Sequence, residues 1–334
     1  MPIQIPKNYQ SDSNQLETNI KIKMIKDYFE NQLSKTLNLT RVSAPLVVYH
    51  DTGLNDNLSG VERPVRFDVK ASGKDAEIVH SLAKWKRYSL FRYGLKNQQG
   101  LYTDMNAIRR DEELDNIHSI YVDQWDWEVV ISNNQRNIET LKIIVNDIYN
   151  VFKETESFVV AEVESIEPRL PEKIYFITAQ ELEDLYPNLS PKERENKICQ
   201  QKEAVFIIGI GHYLNSGLKH DERSPDYDDW LLNGDLLVWN PVLNDALELS
   251  SMGIRVNSEI LMQQLTLSNC EYRIDYPFHQ RVLNNQLPQS IGGGIGQSRM
   301  CMYFLRKAHI GEVQASLWDQ ETIEVCKEKE IYLL

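Results

Sequence analysis

Apolar residues recur at intervals of three and four over residues 16–37, where Ile20, Met24, Ile25, Tyr28, Phe29, Leu33 and Leu37 share a side, so the spacing predicts an amphipathic helix. Residues 1–14, rich in Gln, Asn, Ser and Pro, hold too little apolar surface to order themselves and predict a loose N-terminal arm. Residues 42–48, Val-Ser-Ala-Pro-Leu-Val-Val, form a β-rich run in which Pro45 lacks an amide donor and suits an edge or a bulge. A helix leading into such a strand suits a dimer edge. Short strand-like segments follow at residues 66–70, 78–79, 101–103 and 120–123, interrupted only by a helical stretch at 82–91. That order predicts an antiparallel sheet more than a wound parallel one. Residues 138–156 predict a long helix with Leu141, Ile144, Val145, Ile148 and Phe152 on one face. Beyond it come strands at 174–177, 205–210, 236–239 and 246–249, and helices at 179–186, 191–201 and 258–267. No repeat or low-complexity linker divides the chain, so one domain over residues 15–334 is the economical organisation.

Two stretches break this ordinary patterning. Residues 291–299, Ile-Gly-Gly-Gly-Ile-Gly-Gln-Ser-Arg, place four glycines within five positions and predict a sharp turn that brings backbone close to a flat or charged ligand. A helix starting near Gln297 would then offer free amides, with Arg299 in its first turn, to an anion. A glycine-rich turn capping a sheet fits the same residues equally well. In residues 121–128, Tyr-Val-Asp-Gln-Trp-Asp-Trp-Glu, strand alternation sends Trp125 and Trp127 to a core. Gln124, Asp126 and Glu128 then face a cavity or water, and carboxylates lining a cavity need a cationic partner.

The remaining charge clusters are more ambiguous. Lys84, Lys86 and Arg87 surround Trp85 and read in isolation as a solvated helix face. Arg109, Arg110, Asp111 and Glu112 fit a cationic site or a turn, the acidic Asp226, Asp228 and Asp229 an exposed loop, and Asn233-Gly-Asp235 a turn before a strand. Glu248 and Arg255 lie seven apart around small residues; with Asp235, Glu248 offers the carboxylate set that Mg²⁺ takes beside phosphate oxygens. The seven histidines form no HExxH or triad and read as structural, and no Walker A or GxSxG pattern occurs.

A formal charge of −13 over 334 residues, from 36 basic and 49 acidic side chains, argues against broad nucleic-acid or anionic-membrane binding. Four cysteines without a CxxC pair suggest neither zinc nor a disulfide framework and fit a reducing cytoplasm. The N-terminal residues lack the apolar and basic regions of a signal peptide.

Taken in order, these pieces resemble the three motifs of class II aminoacyl-tRNA synthetases. Val42-x-x-Pro45-Leu-Val is similar to the first, dimer-forming motif, residues 109–112 with Gln124-x-Asp126-x-Glu128 to the second in its aspartyl form, and residues 291–299 to the third. From about residue 20 onward the chain resembles more closely the bacterial ammonia-dependent asparagine synthetase A (aspartate–ammonia ligase) family. The blocks at residues 56–60, 80–87, 122–128, 225–230, 248–255 and 291–299 carry that likeness. Only Leu231 and Leu232 separate Trp230 from Asn233, where the family often has a longer connection.

The resemblance implies a class II synthetase-like catalytic domain of the α/β (α+β) class, a mainly antiparallel mixed sheet flanked by helices. It implies a homodimer that binds no nucleic acid and no membrane. The implied reaction is ATP-dependent amidation of L-aspartate by ammonia to L-asparagine, AMP and pyrophosphate through a β-aspartyl adenylate, with ATP and Mg²⁺ required. By the same resemblance Arg109 holds the α-phosphate and Arg299 the terminal phosphates, with Glu112, Gly294 and Gly296 completing the nucleotide site. Asp235 and Glu248 hold Mg²⁺. Lys86 and Arg255, with Ser81, Gln124, Asp126, Asp228 and Ser251, bind aspartate, and Asp56 is the candidate to deprotonate ammonium. Since the tRNA synthetases activate the α-carboxylate whereas this reaction activates the β-carboxylate, aspartate is expected end for end, its α-carboxylate on Lys86 and Arg255. Pro2 follows Met1 and the first cysteine is Cys199, so the N-terminal nucleophile of a glutamine amidotransferase is lacking and free ammonia is the expected donor. Two alternatives are an aspartyl- or asparaginyl-tRNA synthetase-like paralogue and a non-catalytic protein that binds aspartate or nucleotide.

Overall fold

The computed structural model describes residues 3–58, 60–164 and 166–334. The first half holds α1 (Gln15–Thr36), β1 (Leu39–Arg41), β2 (Val47–Tyr49), β3 (Arg66–Val69), β4 (Lys74–Ile78), α2 (Ala83–Tyr93), β5 (Gly100–Ile108), β6 (Tyr121–Val130) and α3 (Ile138–Glu162). Then come β7 (Tyr175–Thr178), α4 (Ala179–Leu185), α5 (Pro191–Lys202), β8 (Ala204–Ile208), β9 (Asp228–Asn240) and β10 (Asp245–Arg255). The chain finishes with α6 (Ser258–Leu267), α7 (Pro277–Leu283), β11 (Ser290–Gly296), α8 (Gln297–Phe304) and α9 (Gln320–Glu328). Eight strands form one sheet in the order β1-β5-β6-β11-β10-β9-β8-β7, antiparallel throughout except at its edges, where β1 runs parallel to β5 and β7 to β8. A separate antiparallel sheet joins β2, β4 and β3.

One face of the large sheet is apolar. Trp125 and Trp127 are fully buried there, with the Phe29 ring of α1 stacked 4.9 Å from Trp125 and Phe152 of α3 behind it. The buried stripe of α1 is Thr18, Ile22, Ile25, Phe29 and Leu33, so the helix is rotated slightly from the expected face and Ile20 is 61% exposed. Helix starts follow capping chemistry: Asn137 caps α3, and α5 begins with a Ser190–Glu193 capping box and Pro191 in its first turn.

Several expectations fail for identifiable reasons. The run at residues 42–48 is not one strand, because β1 ends before it and β2 begins after Pro45. The glycine stretch is not a turn but the strand β11 in mid-sheet, and no glycine in it has a positive φ. Asn233-Gly-Asp235 is likewise the middle of the 13-residue β9, so no loop exists after Trp230 to shorten. Gly234 is needed there because a Cβ would overlap the Ile207 carbonyl of β8. Helices α7 and α9 were not anticipated, and β5 and β6 are longer than their strongest apolar cores suggest. The N-terminal stretch is pinned down, since Gln4 exchanges two 2.8 Å hydrogen bonds with Asn116 and the Tyr9 and Ser11 hydroxyls donate to Glu312. Among the described residues, no helix is long and apolar enough to cross a membrane.

Candidate active site

The polar face of β6, β11, β10 and β9 floors a cleft of about 430 Å³, within the size range of small-molecule sites. Register explains its composition. Gly292, Gly294 and Gly296 sit opposite Glu128, Asp126 and Gln124. A Cβ at Gly292 would overlap the Glu128 carboxylate and one at Gly294 the Gln124 amide. The glycines are thus required so that long polar side chains of β6 can lean across the neighbouring strand. On the other side, Ser251 faces Asp235 and Gly253 faces Asn233, while Glu248 pairs with Leu237 and Ser250 with Leu236. That shift leaves Leu249 as an extra, bulged residue. The bulge returns Glu248 to the cleft face, where plain alternation from Ser251 would have turned it to the core.

At one end of the cleft the charges are buried and paired. Arg255 donates to both Glu128 oxygens, the shortest bond being 2.6 Å, and also to Asp228, while Ser290 donates to Glu128 at 2.7 Å. Burial pushes the Asp228 carboxyl up, although Arg255 opposes it. Lys86 donates to the Gly293 carbonyl at 2.7 Å and lies 3.1 Å from Asp126. Burial pulls the Lys86 ammonium below its usual range, against the pull of Asp126. The second carboxylate oxygen of Asp126, Oδ1, is buried with no hydrogen-bond partner in the protein.

The cationic face of α2 is therefore not solvated. Lys84 and Lys86 reach carboxylates and a strand carbonyl, and Arg87 donates to the carbonyls of Pro288 and Val256 at 3.0 and 2.7 Å. Nor is the acidic stretch after Arg223 exposed. Asp226 is completely buried and accepts from Lys84, Arg273 and His279 at 3.0, 3.1 and 2.9 Å, which holds it well below the usual carboxylate range despite its burial. Asp229 pairs with Arg136.

At the other end three arginines gather around Glu248. Arg299 bonds the Glu248 carbonyl at 3.2 Å and lies 3.6 Å from its carboxylate. Arg299, Arg223 and Arg109, with His118, hold Glu248 below its usual range although partial burial pushes it up. Arg223 grips Asp235, whose carboxyl is pushed up to about 7 by burial, with Glu248 adding to the effect and Arg223 opposing it. Asp235 Oδ1 and Arg109 Nε are buried without partners. The start of α8 is not open to an anion: Asp123 accepts from the Ser298 amide and hydroxyl at 3.2 and 2.8 Å, and Lys26 and Gln314 bond the same carboxylate.

Asp56 reaches the cleft from the loop beyond β2. Its carboxylate accepts from the Leu58 amide and the Ser81 hydroxyl, both at 2.9 Å. Of the residues anticipated from the sequence, Asp56, Ser81, Lys86, Arg109, Glu112, Gln124, Asp126, Asp228, Glu248, Ser251, Arg255, Gly294, Gly296 and Arg299 line this one cleft, and Asp235 lies just behind its wall. Arg223, His118 and Tyr227 line it too and were not singled out. Arg223 was hidden because its neighbours read as an acidic loop. No cluster of three or more His, Cys, Asp or Glu side chains suited to a metal occurs among the described residues.

Comparison with known proteins fits this geometry. The family model for aspartate-ammonia ligase matches residues 16–330. Aspartate–ammonia ligases of Clostridium perfringens strain SM101 and Clostridium tetani are 62% and 60% identical, over 99% of this chain and 98% and 97% of theirs. Among solved structures, asparaginyl-tRNA synthetase from Pyrococcus horikoshii complexed with asparaginyl-adenylate superposes with a TM-score of 0.65 at 14% identity, covering 95% of this chain and 76% of that one. A putative aspartyl-tRNA synthetase from Leishmania major Friedlin gives 0.62 at 12% identity, with 90% and 64% covered. The fold is therefore that of the class II aminoacyl-tRNA synthetases, and the chain belongs to the aspartate-ammonia ligase family.

Proposed function

We propose that the cleft activates the β-carboxylate of L-aspartate with ATP and passes the acyl group to ammonia, giving L-asparagine, AMP and pyrophosphate. One observation carries this reading: a single cleft holds a buried amino-acid-sized end, with Asp126 Oδ1 lacking a partner, and a phosphate-sized end ringed by Arg109, Arg223 and Arg299. In this reading the substrate ammonium group fills the vacant acceptor of Asp126, beside Gln124 and Asp228, and the α-carboxylate meets Lys86 and Arg255. The β-carboxylate then points along the glycine strand toward the arginines. Its oxygen attacks the α-phosphorus, the bond to pyrophosphate breaks, and the arginines neutralise the charge that builds on the phosphates. Adenine would lie on the flat backbone of β11.

Mg²⁺ suits the pair Asp235 and Glu248, because a cation between them would offset their mutual repulsion and give Asp235 Oδ1 the partner it lacks. Bound there, it would supply charge for the phosphate oxygens. In the second half-reaction Asp56 takes a proton from ammonium, ammonia forms the C–N bond, the bond to AMP breaks, and the nitrogen sheds a further proton. All four cysteines are free thiols, which suits a reducing cytoplasm, and a homodimer is in keeping with the exposed Leu46 and Val47 beside the N-terminal edge strand.

Four outcomes are expected. Incubated with aspartate, ATP, Mg²⁺ and ammonium, the protein yields equal asparagine and AMP; glutamine does not replace ammonium, EDTA stops turnover, and ADP in place of AMP would overturn the adenylate route. An aspartate-bound structure places the α-carboxylate on Lys86 and Arg255, and finding the β-carboxylate there would reverse the assigned orientation. Asp56→Asn slows amide formation by about 10²-fold or more while aspartate-dependent ATP–pyrophosphate exchange stays within about twofold, and equal loss in both assays rejects the role. Sedimentation equilibrium gives twice the chain mass, whereas a monomer mass excludes the dimer.

A further inference from the structure

A second, smaller cavity of about 80 Å³ lies behind the Asp56 loop, between the three-stranded sheet and α7. Its walls include His50, Asn55, Glu77, Lys84, Arg273 and His279, and it shares just Asp56 and Glu62 with the catalytic cleft. Asp56 therefore forms part of the partition between the two spaces. The cavity has room for a few water-sized molecules and none for a nucleotide.

His279 gives the cavity a directed polar group. The residue is completely buried, and its Nε2 lies 2.9 Å from Asp226 Oδ2. Asp226 is a carboxylate held by Lys84 and Arg273 and can only accept, so Nε2 carries the hydrogen and Nδ1 keeps a lone pair. Burial pushes the ring below the usual histidine range against the pull of Asp226, which favours this neutral form. Nδ1 has no hydrogen-bond partner in the protein. A buried acceptor left unpaired costs free energy unless a small donor fills it. The flanking cations are already committed, Lys84 and Arg273 to Asp226 and Arg66 to Glu77, so they do not make the cavity a site for an anion.

We propose that this cavity is the ammonium inlet of the enzyme, a subsite in which His279 Nδ1 accepts an N–H bond and holds ammonium against the rear of Asp56. The proposal rests on the reading of the cleft as an ammonia-dependent amide synthase and adds where the nitrogen arrives. Ammonium would reach Asp56 from behind while the cleft in front is closed by aspartyl adenylate, so the nucleophile need not pass the bulky substrates. Water competes for the same place but lacks the charge that the Asp56 carboxylate on the partition favours.

His279→Gln tests the inlet, because the glutamine amide nitrogen reaches the position of Nε2 and keeps the bond to Asp226 while nothing replaces the Nδ1 acceptor. The expected result is an ammonium KM raised about tenfold, the loss of about one hydrogen bond to a charged group. The KM values for aspartate and ATP and the rate of ATP–pyrophosphate exchange should stay within about twofold. His50→Trp, at the half-exposed rim, narrows the same cavity without touching Asp226 and should raise the ammonium KM in the same selective way. An ammonium KM unmoved by both substitutions, or one that rises only in step with the aspartate and ATP constants, overturns the inlet. If the parent protein itself exchanges pyrophosphate but forms no asparagine from ammonium, the proposed function fails, and the inlet with it.

Discussion

Charge taken out of water must be answered by opposite charge or by hydrogen bonds, and the cleft is built around that requirement. Removing one partner of a buried pair costs about 3–5 kcal/mol because the other is left uncompensated. Glu128, Arg255 and Asp228 satisfy one another across three strands, Lys86 finds Asp126 and a glycine carbonyl, and Asp226 collects three cationic or donor groups. Such networks hold α2, β6, β9 and β10 in one arrangement before any substrate arrives. Asp126 Oδ1 and Asp235 Oδ1 are among the buried atoms that these networks leave without a partner.

The same networks decide what the sequence could and could not disclose. Alternation in residues 121–128 was legible because it depends on one strand: two tryptophans demand a core, and the polar set between them takes the other face. The cationic helix α2 was not, because its partners lie far along the chain, with Asp226 142 residues from Lys84 and Gly293 207 from Lys86. Local charge density reads as solvation until the acceptors are known. The glycine stretch misled in a different way. Glycine in a single sequence signals backbone freedom, whereas here it signals space for side chains of a neighbouring strand, which only the pairing of β11 with β6 reveals. The family likeness located the cleft residues all the same, because it drew on ordered blocks and not on the conformation of any one of them.

Two kinds of element hold the site. The floor belongs to central strands, fixed by register and by an apolar face filled with Trp125, Trp127 and Phe29. The wall with Asp56 hangs from a loop off the small sheet and is fastened by side chains: Asn55 accepts from the Asp56 and His80 amides and donates to Glu77, and Ser81 ties the carboxylate itself. The glycines and arginines of the cleft thus sit on or beside central strands, and Asp56 on a loop fastened by side-chain bonds.

The bulge at Leu249 makes β10 a strand read in two frames. Before it even-numbered Glu248 belongs to the cleft; after it odd-numbered Ser251, Gly253 and Arg255 do. A slip that drew Leu249 into the ladder opposite Leu237 would merge the frames, turning Glu248 to the core and an apolar side chain to the cleft beside the arginines, while the strand from Ser251 onward kept its geometry. The place of the bulge is therefore as much a part of the cleft as the identity of Glu248.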